Sequence, residues 1–254
     1  MPEDDEKLPF TAHLEELRKR LIICFSAVGV GFVLCYFFSK KLFDILMHPL
    51  LVAMPPEEKL IYTGLPEAFF TYLKVAFLGG VLLAVPVIIH QLWMFIAPGL
   101  YDREKRLVLP IVFLSSVFFL GGALFGYFIV FPFGFKFFMG FASDAIRPLP
   151  SMREYLSFST KLLFAFGIVF ELPLFITFLA KLGIVDVPFL KAKRKYAILL
   201  FFVFASILTP PDVITQILMA GPLMLLYEVS IVGARVFGKK REGAEDEKPQ
   251  ESAG

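Results

Sequence analysis

Phe164 to Leu179 reads FAFGIVFELPLFITFL, an apolar run with one carboxylate, Glu171, in its middle. No Lys or Arg lies within one helical turn along the run to offset it. Such a run belongs in a bilayer, where a charge costs at least about 2.5 kcal/mol and so faces a bundle interior or a wet cavity. Protonation is a second way to tolerate the group at that depth. Glu171 therefore marks a chain that handles something polar inside a membrane.

Composition extends the reading to the whole chain. Of 254 residues, 57% are hydrophobic and 32 are Phe, and the mean hydropathy is +0.74. A water-soluble domain of this length rarely has that composition. Cys24 and Cys35 share one apolar run. Eleven residues of helix separate them by about 16 Å, too far for a disulfide. They read as small apolar packing residues. The N-terminus is acidic (Glu3, Asp4, Asp5, Glu6), and no small-residue cleavage site follows the first apolar run, so no cleavable signal is expected.

The expected fold is all-α: a polytopic membrane protein with six transmembrane helices. The spans fall at about 21–38, 69–97, 107–132, 160–180, 196–209 and 213–234 of one membrane domain, 1–238. Residues 239–254 are charged, poor in apolar side chains and expected to be disordered. An even span count puts both termini on one side. The N-terminal segment, loops 98–106 and 181–195 and the tail after Ala234 hold 17 Lys and Arg; the opposite loops hold 7, and Lys74, inside span two, completes the 25. The excess predicts cytoplasmic termini. Leu42, Phe43, Leu46 and Met47 predict a short helix on the outer surface. Pro86, Pro110, Pro132, Pro173 and Pro222 lie within or at the ends of spans and favour kinked helices in a curved bundle with a concave face. Gly122 and Gly126 form a G-x-x-x-G that lets helices approach closely. The last hairpin has a short apolar part: 196–209 covers about 21 Å as a helix, against a hydrocarbon core of about 30 Å. Either the bilayer thins there or both helices run past the core with Lys and Tyr snorkelling.

No nucleotide loop, nucleophile elbow or zinc-protease motif occurs, and His13, His48 and His90 lack metal-ligand spacing. No catalytic residues, metal site or cofactor is expected, nor a nucleic-acid partner; the chain does not read as an enzyme. Polar residues gather instead at 13–21, HLEELRKRL, and 97–106, APGLYDREKR. Glu15 with Lys19 and Glu16 with Arg20 have i, i+4 spacing, worth a few tenths of a kcal/mol per pair on a helix surface. The same carboxylates suit a basic peptide, because a carboxylate accepts a guanidinium through two parallel hydrogen bonds.

The chain resembles the TatC family, the multispanning core subunit of the twin-arginine protein translocase. The resemblance rests on His13-Leu14-Glu15-Glu16-Leu17-Arg18, on Phe95-Ile96-Ala97-Pro98-Gly99-Leu100-Tyr101 followed by Glu104, on Phe131-Pro132, on Phe166 to Pro173 and on Thr209-Pro210-Pro211-Asp212. These motifs stand in order over about residues 8–237; Gly99 is a departure where alanine is more usual. The resemblance implies a receptor and scaffold in the cytoplasmic (inner) membrane. It binds twin-arginine signal peptides of folded precursor proteins and self-associates. It works with TatA- and TatB-like single-span partners, and the proton-motive force drives transport. By motif position, Glu16, Glu104, Arg18, Phe95 and Leu100 would form the signal-peptide site and Glu171 an intramembrane polar site. Pro49, Asp212 and Gln216 would serve the outer loops and partner contact. The runner-up reading is a proton-coupled secondary transporter using Glu171, though no internal repeat of the kind such transporters show is apparent.

Overall fold

A computed structural model describes residues 10–55, 60–62, 64–96, 108–141, 149–208 and 213–238. Glu104, Leu100 and Asp212 lie outside the described residues, as does the tail 239–254. Among the described residues the chain is helical, and the one β-type contact is an isolated bridge between Ile61 and Ser151. In chain order the helices are α1 (Phe10–Phe37), α2 (Ser39–Ala53), α3 (Glu67–Ile96), α4 (Val108–Phe125), α5 (Phe131–Met139), α6 (Met152–Phe170), α7 (Leu172–Lys181), α8 (Val187–Leu208) and α9 (Val213–Phe237). A π-turn, Gly126–Val130, joins α4 to α5. The chain forms two compact units that part between Phe170 and Glu171.

Five stretches are long and apolar enough to cross a membrane: Ala12–Phe37, Glu67–Ile96, Leu109–Met139, Met152–Lys181 and Val213–Phe237. They overlap five of the expected spans. The remaining span lies in α8, whose first half carries Lys191, Lys193, Arg194 and Lys195. These bases therefore sit on a helix rather than in a loop. Helix α8 has 22 residues, about 33 Å, so it extends well past its short apolar part. Lys193 lies over the rings of Phe189 and Tyr196, 5.7 and 5.3 Å from their centroids, so its stem follows the helix surface.

Two prolines explain where the long helices change register. Pro132 lacks an N–H, and its ring would meet the carbonyl four residues back. The π-turn just before it widens the ladder at that point. Pro173 acts likewise: Glu171 is the turn residue between α6 and α7, with φ −71° and ψ −20°, and its carbonyl accepts the Phe175 N–H at 2.8 Å. Pro86 and Pro222, by contrast, lie inside unbroken helices.

In the first unit α3 is central, packed by α1, α2, α4 and α6. Helices α1 and α3 run antiparallel and touch backbone to backbone at Gly31 and Gly80, where a Cβ on Gly31 would stand 2.6 Å from the Gly80 carbonyl oxygen. Gly122 plays the same part between α4 and α6: a Cβ there would stand 2.8 Å from Phe170 Cβ. The expected outer helix is α2, burying Phe43, Leu46, Pro49 and Leu50 along one face. Pro49 cannot donate to the Ile45 carbonyl four residues back. The Tyr127 hydroxyl donates to that carbonyl instead, at 2.6 Å. Tyr155 donates to the next carbonyl, Leu46. Phe131, Phe135, Tyr155 and Phe158 continue this anchorage as a chain of aromatic contacts 5.4–6.0 Å between centroids.

In the second unit α9 packs on α7 and α8. Gly233 takes the Thr177 side chain, and the Tyr227 hydroxyl donates to the Leu190 carbonyl at 2.9 Å. Arg194 pairs with Glu228 at 2.6 Å.

Candidate functional site

The antiparallel register of α1 and α3 decides what stands beside Glu16. With Gly31 opposite Gly80, the first turns of α1 meet the last turns of α3. His13 stacks on Phe95, centroids 4.4 Å apart and planes at 24°. Arg20 reaches across to Gln91, its Nη1 3.4 Å from Gln91 Oε1. The Gln91 amide in turn lies 3.3 Å from His90 Nδ1. A polar cluster thus sits where two apolar helices end.

Glu16 is at its centre. Its side chain is 25% exposed and that of Arg20 17%. Arg20 donates to Glu16 Oε1 from Nε at 3.0 Å, and from Nη2 as well. Both donors converge on one oxygen. The other, Oε2, lies 3.8 Å from His13 Nδ1, longer than a hydrogen bond. The carboxylate is therefore fixed from one side, and its second oxygen is turned toward the exposed His13 ring. Glu15 is different. It pairs with Lys19 at 2.9 Å, and both side chains are mostly exposed, at 65% and 71%. Such a pair contributes little and is easily exchanged for water. Arg18 is exposed on the same helix.

Of the five residues expected at the signal-peptide site, Glu16 and Phe95 are brought together through His13. Arg18 lies two residues on along the chain, while Glu104 and Leu100 fall outside the described residues. Sequence reasoning set His13 and His90 aside because they lack metal spacing, and it passed over Gln91. Two adjacent polar residues inside the apolar run 81–96, VLLAVPVIIHQLWMFI, were the available signal.

The other expected residues lie elsewhere. Glu171 is half-buried with Oε1 withdrawn from the surface, at the proline-induced turn rather than inside an unbroken span. Gln216 donates to the Phe202 carbonyl at 3.0 Å, tying α9 to α8. Pro49 is buried within α2.

Residues 12–222 match the family model described as "Sec-independent protein translocase protein (TatC)". A protein of that name from Desulforapulum autotrophicum is 62% identical over 99% of this chain and 93% of its own length. Its counterpart from Magnetococcus marinus is 51% identical, covering 98% of this chain and 91% of its own. A crystal structure of the "Twin Arginine Translocase Receptor- TatC" superposes with a TM-score of 0.78 at 43% identity, over 89% of this chain and 99% of that one. Family match, near full-length identity and shared helical architecture agree: the chain belongs to the TatC family of Sec-independent protein translocases.

Proposed function

We propose that the chain is the receptor and scaffold of a twin-arginine translocase, binding signal peptides at the end of α1 and α3 that carries Glu16. The observation that carries this reading is the half-buried Glu16 carboxylate. Arg20 fixes it through one oxygen, and the other oxygen is turned toward the exposed His13 ring, which stacks on Phe95. A guanidinium approaching Oε2 adds a charge-assisted hydrogen bond to a carboxylate that need not be reoriented. The Phe95 and His13 rings provide an apolar flank for the peptide's hydrophobic part. Glu104, with Leu100, is assigned the second arginine by motif position.

In this reading residues 1–238 form one six-span domain of the cytoplasmic membrane with both termini in the cytoplasm, and the tail from 239 is disordered. TatA- and TatB-like single-span proteins and further copies of the chain are its partners. Pro49, Asp212 and Gln216 act in the outer loops and in partner contact. The proton-motive force drives transport. The buried Pro49 supports an indirect role, through the Tyr127 bond that its missing N–H makes possible.

The test is peptide binding to the purified protein. Glu16→Ala and Glu104→Ala should each weaken a twin-arginine peptide ten- to a hundredfold, the equivalent of about 1.5–3 kcal/mol for a charge-assisted contact. A twin-lysine peptide should bind less tightly to the unaltered chain, because Lys cannot form the paired contact. Glu15→Ala should have a smaller effect. A chain in which Glu15 is essential and Glu16 dispensable would overturn the assignment.

A further inference from the structure

Lys74 is the one Lys or Arg of α3, and the signal-peptide site does not use it. It stands seven residues, about 10 Å, along the helix from Glu67. Two features meet at this side chain. On one side is a crevice of about 330 Å³, bordered by Gly64, Pro66, Glu67, Thr71, Lys74 and Arg153. On the other is a groove of about 430 Å³ between α1 and α3, bordered by Phe25, Val28, Gly29, Phe32, Lys74 and Phe77.

The crevice carries two cations against one carboxylate. The Glu67 carboxylate accepts the backbone N–H of Gly64 at 3.3 Å and of Arg153 at 3.0 Å, so backbone donors already engage it. Lys74 and Arg153 add two exposed side-chain cations. Apart from the Lys74 ammonium, the groove is dry, because its other lining residues are apolar. The polar crevice lies at the end of α3 near Glu67, and the groove follows α1 from Phe32 back to Phe25. Because α1 and α3 are antiparallel, that direction leads away from this end toward the middle of the two helices. Cations at one end and an apolar channel running inward match the order of a phosphate and an acyl chain in a lipid. Basic pockets between membrane helices bind anionic head groups for the same reason, and a lysine at this depth can extend its ammonium toward the interface.

We propose that this face of α1 and α3 holds one anionic phospholipid, its phosphate between Lys74 and Arg153 and one acyl chain in the groove. The proposal needs only that α1 and α3 cross a membrane and does not rest on the signal-peptide reading. If the termini are cytoplasmic, the lipid belongs to the outer leaflet.

Native mass spectrometry of the full chain in detergent tests it. The probes are phosphatidylglycerol and phosphatidylcholine with identical chains, and glycerol 3-phosphate as a soluble phosphate. Each cation is worth about fivefold and the Glu67 carboxylate offsets part of this, so phosphatidylglycerol should bind roughly five- to twenty-five-fold tighter than phosphatidylcholine. Lys74→Gln and Arg153→Gln should each remove about fivefold of that preference, and Lys74→Arg should keep it. Gly29→Leu probes the groove, which Gly29 borders and where an added Cβ meets nothing within 4 Å. It should weaken both lipids. Equal binding of the two lipids to the unaltered chain would overturn the proposal, as would an undiminished preference in Lys74→Gln. Displacement of phosphatidylglycerol by equimolar glycerol 3-phosphate would show a soluble-phosphate site instead. Unchanged lipid binding in Gly29→Leu would remove the acyl chain from the groove.

Discussion

Gly80→Ala should loosen the α1–α3 contact on which the candidate site depends. A Cβ on Gly80 would stand 2.5 Å from the Phe32 backbone nitrogen and 2.8 Å from its Cα. Carbon contacts are favourable at about 3.5–4.0 Å, so the added methyl is too close by roughly 1 Å. The obstructing atoms are backbone and cannot rotate away, so α1 must shift as a unit. Overpacking costs about 1–3 kcal/mol, a clash with backbone at 2.5 Å belongs in the upper half, about 2–3 kcal/mol, and alanine's better helix propensity offsets about 1 kcal/mol of it. A net loss of about 1–2 kcal/mol remains. Cys35 is the internal reporter. It is 7% exposed, and its Sγ lies 2.9 Å from where a Cβ on Gly79 would be. In a Cys24→Ser background, maleimide labelling of Cys35 should accelerate about five- to thirtyfold if reaction proceeds through local opening. Gly29→Ala, with open space around its Cβ, should leave the rate unchanged. The shift should also reach the site, because the same helix carries His13 and Arg20 against Phe95 and Gln91. Twin-arginine peptide affinity should fall with the packing. Cys35 labelling at the unaltered rate in Gly80→Ala would refute the close backbone contact as the element that holds α1 on α3.

Two further outcomes are expected. Reporter fusions at the tail and within 139–150 should locate to opposite sides of the membrane, because 17 of the 25 basic residues fall on the side assigned to the termini; the same side for both would overturn the six-span topology. Glu171→Leu should lose most export activity and Glu171→Gln only part of it, with peptide binding near normal in both, and unimpaired export in Glu171→Leu would remove Glu171 from transport.

Helix positions were legible in the sequence because apolar length is a property of single segments. So was the α2 face, whose apolar residues repeat at helical spacing. The proline effects were legible only in part. Pro132 and Pro173 announce a break, but the residues around them do not say that a π-turn precedes one and a single turn residue the other. Pro49 shows the limit most clearly. The resemblance assigns it to the outer loops, whereas its missing N–H frees a carbonyl for Tyr127, 82 residues away along the chain. The candidate site follows the same logic. The i, i+4 spacing of Glu16 and Arg20 was visible, and it favoured a surface pair of little consequence. Their partial burial, the Arg20 contact to Gln91 and the stacking of His13 on Phe95 arise from the register between α1 and α3, which is set by Gly31 against Gly80. Each glycine closes a small-x-x-x-small spacing, Ala27 to Gly31 and Ala76 to Gly80, but that spacing is common and does not say which glycine meets which. Tertiary register thus turns an ordinary helix ion pair into a carboxylate held through one oxygen. In the proposed function an arriving guanidinium would meet a prepared acceptor, which is the physical basis for favouring Glu16 over its neighbour Glu15.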